Sequence, residues 1–176
     1  MRVASGLAKG VKLHSPLSSR TRPTTQKVKE AVFDSLRTNF SLQNTKVVDL
    51  FAGSGAMGIE ALSQGASQVT FVENNLQAIK IIEANIVSTK LDRDKTTLVR
   101  ANVLTWLSRC SFDFDLAFCD PPYEFSNWIQ VFDLLKTKIL VVESNKLLEV
   151  SNCPYDLYKV KKYGDTVISF LIAQSS

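Results

Sequence analysis

From residue 46 onward, short and nearly continuous apolar runs alternate with longer stretches of helical pattern. The runs fall at 46–51 (KVVDLF), 68–73 (QVTFVE), 96–100 (TTLVR), 114–119 (FDLAFC) and 138–143 (KILVVE). Helical stretches lie between them at about 56–64, 75–89, 103–109 and 126–136. β-branched strands without polar alternation, separated by helices, predict a parallel sheet covered on both faces. Gly65 stands where a C-cap glycine belongs. The last two runs, 156–162 (DLYKVKK) and 166–173 (TVISFLIA), flank Tyr163-Gly164-Asp165 with no room for a helix, so they predict a β-hairpin. The sum is an α/β chain with a seven-stranded, mostly parallel, doubly wound sheet ending in an antiparallel hairpin.

The N-terminal part reads differently. Residues 1–15 alternate loosely around Gly6 and Gly10, as a short hairpin does, and Ser15 to Pro23 (SPLSSRTRP) has the composition of a loop. Thr24 or Thr25 is a candidate cap for a helix whose apolar stripe is Val28, Ala31, Val32, Leu36 and Phe40. Lys27, Lys29 and Arg37 avoid that stripe and are expected to face solvent or a partner. Residues 1–23 therefore read as a basic appendage and 24–176 as the domain proper.

Composition narrows the class. At 176 residues, with 45% hydrophobic and 22% charged positions, the chain is an ordinary single globular domain rather than a disordered one. Cys110, Cys119 and Cys153 form no CxxC pair and are odd in number, which fits a reduced, cytoplasmic protein. No run approaches the length of a membrane span, and MRVASGLAKG lacks a secretory apolar region. The charge is uneven. Residues 1–40 hold eight basic and two acidic side chains, a net of +6, while the remainder carries 13 basic and 15 acidic groups, a net of −2. A cationic N-terminus of this kind attracts polyanions by counterion release.

The first strand runs into Asp49-Leu50-Phe51-Ala52-Gly53-Ser54-Gly55-Ala56-Met57-Gly58. Glycines at 53, 55 and 58 spell GxGxxG at a strand-to-helix turn, where a nucleotide-like ligand can touch the backbone. Glu73, 18 residues after Gly55, ends the second strand, where a carboxylate accepts hydrogen bonds from ribose hydroxyls. Phe51, Ala52, Gly53, Ser54 and Gly55, with Asp49 and the pair Glu73-Asn74, are the candidate cofactor site. A tight turn explains the glycines structurally as well. No Lys-Ser/Thr follows them, so the loop is not one for triphosphates. Asp49 favours a cofactor without phosphate: it would repel a pyrophosphate but suits the ammonium and sulfonium of S-adenosylmethionine (AdoMet). Its plainer reading is a hydrogen bond to the loop backbone.

The fourth strand ends in Asp120-Pro121-Pro122-Tyr123, whose loop should meet the glycine loop at the carboxyl ends of the strands. A rigid turn accounts for the prolines alone. One chemistry accounts for all four residues. A ring-conjugated exocyclic amine is a poor nucleophile because its lone pair is delocalised. Two acceptors on its N–H bonds, the Asp120 carboxylate and the Pro121 carbonyl, would localise that pair, Pro122 would stiffen the loop, and Tyr123 would stack on an extruded base.

DLFAGSGAMG, an acid at the second strand and DPPY together resemble class I AdoMet-dependent methyltransferases that modify amines. Arg22-Pro23-Thr24-Thr25, then KVKEAVFDSL, then DLFAGSGAMGIEALSQGA, resemble more narrowly the RsmD family of bacterial rRNA guanine-N2 methyltransferases over nearly the whole chain. The resemblance implies a Rossmann-like fold and methylation of one guanine of 16S rRNA on N2, within an assembling 30S particle. It gives the amine-site roles to Asp120, Pro121 and Tyr123 and places Glu73 at the ribose. It also implies Asn102 and Val103 beside the adenine, and Arg22 and Thr24 near the methionine end of the cofactor or the target base. Lys9, Lys12, Arg20, Arg22, Thr24 and Lys27 are the candidate RNA contacts. Two departures stand out: SGLAKGVKL replaces the usual double glycine and second basic residue, and the Phe132–Glu143 segment is short.

Other readings are weaker. A DNA adenine-N6 methyltransferase also uses DPPY, but about forty residues beyond the catalytic sheet leave little for sequence recognition. A nicotinamide oxidoreductase leaves Asp49 and DPPY without purpose, and a catalytically silent ribosome-assembly factor has no need of the intact motif. His14, without a ligand cluster, is not expected to bind metal. Cys119, Trp106 and Trp128 are expected to pack, Glu143 either to help close the site or to be solvated at its strand end, and the protein to be a monomer.

Overall fold

The computed structural model describes residues 1–15 and 26–174. The elements run α1 (Gln26–Asn39), β1 (Lys46–Leu50), α2 (Ala56–Ser63), β2 (Gln68–Glu73), α3 (Leu76–Thr89), β3 (Thr96–Arg100), α4 (Val103–Leu107), β4 (Phe114–Cys119), α5 (Trp128–Leu134), β5 (Thr137–Ser144), β6 (Tyr155–Tyr163) and β7 (Thr166–Ala173). The strands form one sheet of order β3-β2-β1-β4-β5-β7-β6. All pairings from β3 to β5 are parallel, and β7 lies antiparallel to both β5 and β6. Six strands thus share one direction and β7 opposes them. Gly164, at φ 60°, makes the two-residue turn of the terminal hairpin.

Strand alternation divides the interior. Val47, Leu116, Phe118, Val141 and Phe170 face α1, α2 and α3, meeting Phe33, Leu36, Ile59 and Ile82. Val48, Leu50, Ala117, Leu140 and Val142 face α4 and α5, meeting Val103, Leu107, Val131 and Phe132. Burial on both faces is why these strands lack a polar alternation. α5 is shorter than its apolar pattern, because residues 122–125 turn on themselves through the Phe125 N–H to the Pro122 carbonyl at 2.9 Å.

Residues 1–15 form a narrow hairpin-like arm with one bridge, Arg2 to Lys12. The Val3 N–H donates to the Val11 carbonyl (3.0 Å) and the Leu13 N–H to that of Met1 (2.8 Å). Val3, Ala8 and Leu13 enter the core on the α1 side. Pro16 to Thr25, including Arg20, Arg22, the expected loop and the cap of the first helix, lie outside the described residues.

One expectation for α1 is corrected. Lys29 does not face solvent: it is fully buried and ion-paired with Glu60 of α2, itself fully buried. The buried surface of α1 is wider than its apolar stripe, because Phe33 and Lys29 turn toward the neighbouring elements while Lys27 and Arg37 stay exposed. Glu60 also accepts from the backbone N–H groups of Ala4 (2.8 Å) and Ser5 (2.9 Å) and from Gln64 Nε2 (2.8 Å). Four donors around one buried carboxylate satisfy a charge that would otherwise be prohibitively costly there. Lys29→Met should leave that charge without its counterion and lower the unfolding free energy by roughly 3 kcal/mol, measured by urea denaturation. A variant as stable as wild type would mean that the backbone donors suffice.

Candidate active site

The sheet order reverses at β1, with β2 and β3 on one side and β4 and β5 on the other. In open α/β sheets such a switch point opens a crevice at the carboxyl ends of the strands. Leu50 pairs with Cys119 at the last register position of β1 and β4, so the loops that follow them start side by side.

The β1 loop turns sharply. Phe51 adopts φ 58°, a left-handed conformation costing an L-residue about 1–2 kcal/mol. Three hydrogen bonds then fix the loop, two to the end of β2 and one within the loop itself. The Ala52 N–H donates to the Val72 carbonyl (3.2 Å), the Gly55 N–H to the Ala52 carbonyl (2.7 Å), and the Gly53 N–H to Glu73 Oε2 (2.9 Å). A Cβ on Gly58 would lie 2.4 Å from the Phe71 ring, so this third glycine lets α2 pack on β2. A Cβ on Gly53, by contrast, would meet nothing closer than the Phe51 carbonyl oxygen at 3.9 Å. The first glycine thus turns an open side outward, as a ligand cradle requires.

The carboxylates divide the work. Glu73, at the end of β2, accepts from Gly53 on one oxygen and from the Asn75 N–H (2.8 Å) on the other, leaving lone pairs on each for hydroxyl donors. Asn74 beside it is exposed, and Asn75 caps α3. Asp49 is buried at 4% exposure, and its Oδ2 accepts the Gly58 N–H at 2.9 Å. Burial pushes its carboxyl up to about 7; the Gly58 hydrogen bond pulls it down, and the Glu73 charge adds to the rise. In the structure Asp49 therefore holds the loop backbone. Asn102 caps α4 through the Thr105 N–H (3.1 Å), and Val103 is buried behind it. The Ala101 N–H donates to the Glu73 carbonyl (3.1 Å), which joins the ends of β2 and β3.

On the β4 side, Pro121 is buried, Asp120 is half-buried, Pro122 is exposed and Tyr123 is 50% exposed. Phe125 meets Phe51 edge-on at 5.2 Å between ring centroids and packs against Trp128 at 5.1 Å. This contact bridges the glycine loop and the DPPY loop directly. Cys119 is buried, and desolvation, with the charges of Asp120 and Asp49, pushes its thiol well up, away from thiolate character. Trp106 and Trp128 both pack partly against the core on the α4 side.

The candidate RNA contacts are less tightly grouped. Lys12 and Lys27 are exposed, and the arm meets the start of α1 where the Arg2 N–H donates to Gln26 (2.9 Å). Lys9 is exposed at the tip of the arm, which docks on the far end of α2. Arg20, Arg22 and Thr24 lie outside the described residues. Sequence reasoning missed Phe125 and Asn85. Phe125 is an apolar residue inside an otherwise polar loop. Asn85 is an amide at a core position of α3, beside Ile82 and Ile86.

The reversed last strand, the glycine loop at β1 and the abutting DPPY loop at β4 define a Rossmann-like methyltransferase. The solved Escherichia coli structure described as "Putative methyltransferase yhhF" superposes with a TM-score of 0.87 at 25% identity, covering 100% of this chain and 99% of that one. The Bacillus subtilis protein named "Putative rRNA methyltransferase YlbH" is 33% identical over 96% of this chain and 97% of its own length. The Ribosomal RNA small subunit methyltransferase D of Escherichia coli is 30% identical over 77% of this chain and 67% of its own length. Residues 1–172 match the family model "Conserved hypothetical protein 95", and the chain belongs to this family, that of the RsmD-type rRNA methyltransferases.

The Asp49 carboxyl makes a pH prediction. Its folded value lies above the unfolded value near 3.8, so it contributes stability that is complete in acid and is lost as pH rises through about 7. Asp49→Asn keeps an acceptor for the Gly58 N–H but cannot ionise. Thermal unfolding should show wild type losing stability against this variant between pH 5 and pH 8, by an amount on the order of a few kcal/mol. Parallel profiles would contradict the assignment.

Proposed function

We propose that this protein transfers a methyl group from AdoMet to the exocyclic N2 amine of a guanine in 16S rRNA. The observation that carries the reading is the Phe51–Phe125 contact, because it sets the cradle of a cofactor against an amine-binding loop. The name of the Escherichia coli relative supports ribosomal RNA of the small subunit as the substrate.

In this reading Glu73 takes the ribose hydroxyls of AdoMet, and Asn102 and Val103 flank its adenine. Phe51, Ala52, Gly53, Ser54, Gly55 and Asn74 line the remainder, with Asp49 fixing the loop from behind. AdoMet would supply an electrophilic methyl group, giving up its carbon–sulfur bond and leaving as S-adenosylhomocysteine. The chain supplies the geometry. The Asp120 carboxylate and the Pro121 carbonyl accept the two N–H bonds of the guanine amine, drawing its nitrogen toward tetrahedral geometry and freeing the lone pair to attack. Pro122 stiffens the loop, and the half-exposed Tyr123 ring stacks on the extruded base. Once methylated, the nitrogen carries an acidic proton and needs no strong base to shed it. In-line placement therefore provides most of the rate.

Lys9, Lys12, Arg20, Arg22, Thr24 and Lys27 contact the RNA, mainly through phosphates, with Lys9 at the end of α2 remote from the glycine loop. The enzyme acts as a monomer in the cytoplasm, on an assembling 30S particle whose shape supplies part of the recognition.

Asp120→Ala separates binding from chemistry. Tritium transfer from labelled AdoMet to small-subunit particles should fall by about 10²- to 10³-fold, the range for losing a group that organises the transition state. AdoMet affinity by calorimetry should stay near wild type. Turnover close to wild type would refute the amine-site assignment.

A further inference from the structure

Asn85 is fully buried on α3, yet among the described residues its side chain makes its polar contacts outside its own helix. Its Oδ1 accepts the His14 N–H at 2.7 Å. Its Nδ2 donates to the His14 carbonyl at 3.0 Å and to the Ser54 carbonyl at 2.9 Å. The first two bonds imitate one rung of a β-ladder. The third reaches the glycine loop. An asparagine amide offers two N–H donors and a carbonyl acceptor, and this geometry engages all of them. Aspartate lacks the donors, and leucine or alanine leaves three backbone groups without this partner.

The rest of the arm is fixed to the helix that the same loop opens. The Leu7 N–H donates to the Ser63 carbonyl (2.8 Å), the Ala8 N–H to Ser63 Oγ (2.9 Å), and Ser63 Oγ to the Ser5 carbonyl (2.6 Å). The approach is so close that a Cβ on Gly6 would sit 1.8 Å from the Ser63 carbonyl oxygen. The tip of the arm is thus held by the end of α2, and its base by Asn85. Of these two anchors, Asn85 also grips the cofactor loop.

We infer that Asn85 is a positioning residue that keeps the base of the basic arm, with Lys12, in register with the glycine loop, and so couples RNA binding to cofactor binding. The inference rests on the proposed reading that the arm meets RNA and the loop meets AdoMet. RNA bound along the arm holds His14 in this place against local loosening, His14 keeps its bonds to the Asn85 amide, and the amide fixes the Ser54 carbonyl. By linkage the effect is reciprocal: whatever factor cofactor binding gives RNA affinity, RNA binding gives cofactor affinity.

The test uses the full chain, small-subunit particles as the RNA probe and S-adenosylhomocysteine as the unreactive cofactor probe. RNA affinity is measured with and without S-adenosylhomocysteine. Wild type should bind RNA about fivefold more tightly in its presence, the lower end of typical coupling. Asn85→Ala should bring that ratio close to one and weaken cofactor binding by about five- to tenfold, the worth of a buried hydrogen bond. Ser63→Ala loosens the tip without touching the loop, and should weaken RNA binding while keeping the ratio. If Asn85→Ala does not fold, His14→Pro, which removes one N–H from an exposed position of the arm, should lower the ratio in the same way. A wild-type ratio of one, or a ratio that survives both Asn85→Ala and His14→Pro, would overturn the inference alone. Wild type with no affinity for either probe would overturn the proposed function and this inference with it.

Discussion

Everything at the site depends on β1 and β4 being neighbours. Their parallel ladder ends with Leu50 opposite Cys119, at the place where the strand order reverses. Two loops of very different chemistry must therefore leave the sheet side by side, one built of glycines and one of prolines. The Phe51 and Phe125 rings then close the distance between them. Phe51 sits in a left-handed conformation beside that contact, a local cost at the point where the glycine loop and the DPPY loop meet. Neither loop could perform the proposed chemistry from any other pair of strands, because a methyl donor and its acceptor must meet within van der Waals contact.

Electrostatics sharpen rather than create the site. The eight basic side chains of residues 1–40 include Lys29, neutralised by Glu60 inside the protein, and Arg37, paired with Asp34 on the surface. Among the described residues, the outward-facing lysines of this region are Lys9, Lys12 and Lys27. Glu60 uses its charge for architecture, gathering Lys29 and the backbone of the arm. Asp49 is buried beneath the glycine loop and holds the Gly58 N–H, so the carboxylate whose sequence position suggested a cationic ligand acts on the loop itself. Glu73 is the acid that keeps lone pairs available at the edge of the crevice.

Much of this was legible before any coordinates. The strands could be read because burial on both faces leaves an apolar run that helices interrupt, and the Tyr163-Gly164-Asp165 turn could be read because nothing else fits between two strands. DPPY and the glycine loop carry their chemistry in adjacent residues, so they too stand out in one dimension. What stayed hidden depends on contacts distant in sequence. Lys29 looks solvent-facing until Glu60, 31 positions later, is seen opposite it. Asn85 is one amide among several polar residues of α3 until His14 and Ser54 arrive beside it, from 71 and 31 positions away. Phe125 looks like any loop aromatic until Phe51 turns to meet it. In each case a tertiary contact, not a local propensity, decides the role of the side chain.

The central claim is that the crevice between these loops presents a guanine amine to an electrophilic methyl group. Its most direct test is to incubate the purified protein with labelled AdoMet and small-subunit particles from cells lacking this enzyme, digest the RNA to nucleosides and identify the labelled product. The account requires N2-methylguanosine as the labelled nucleoside, at no more than one methyl group per particle. Label in another nucleoside, or label found only when DNA replaces the particles, would contradict it.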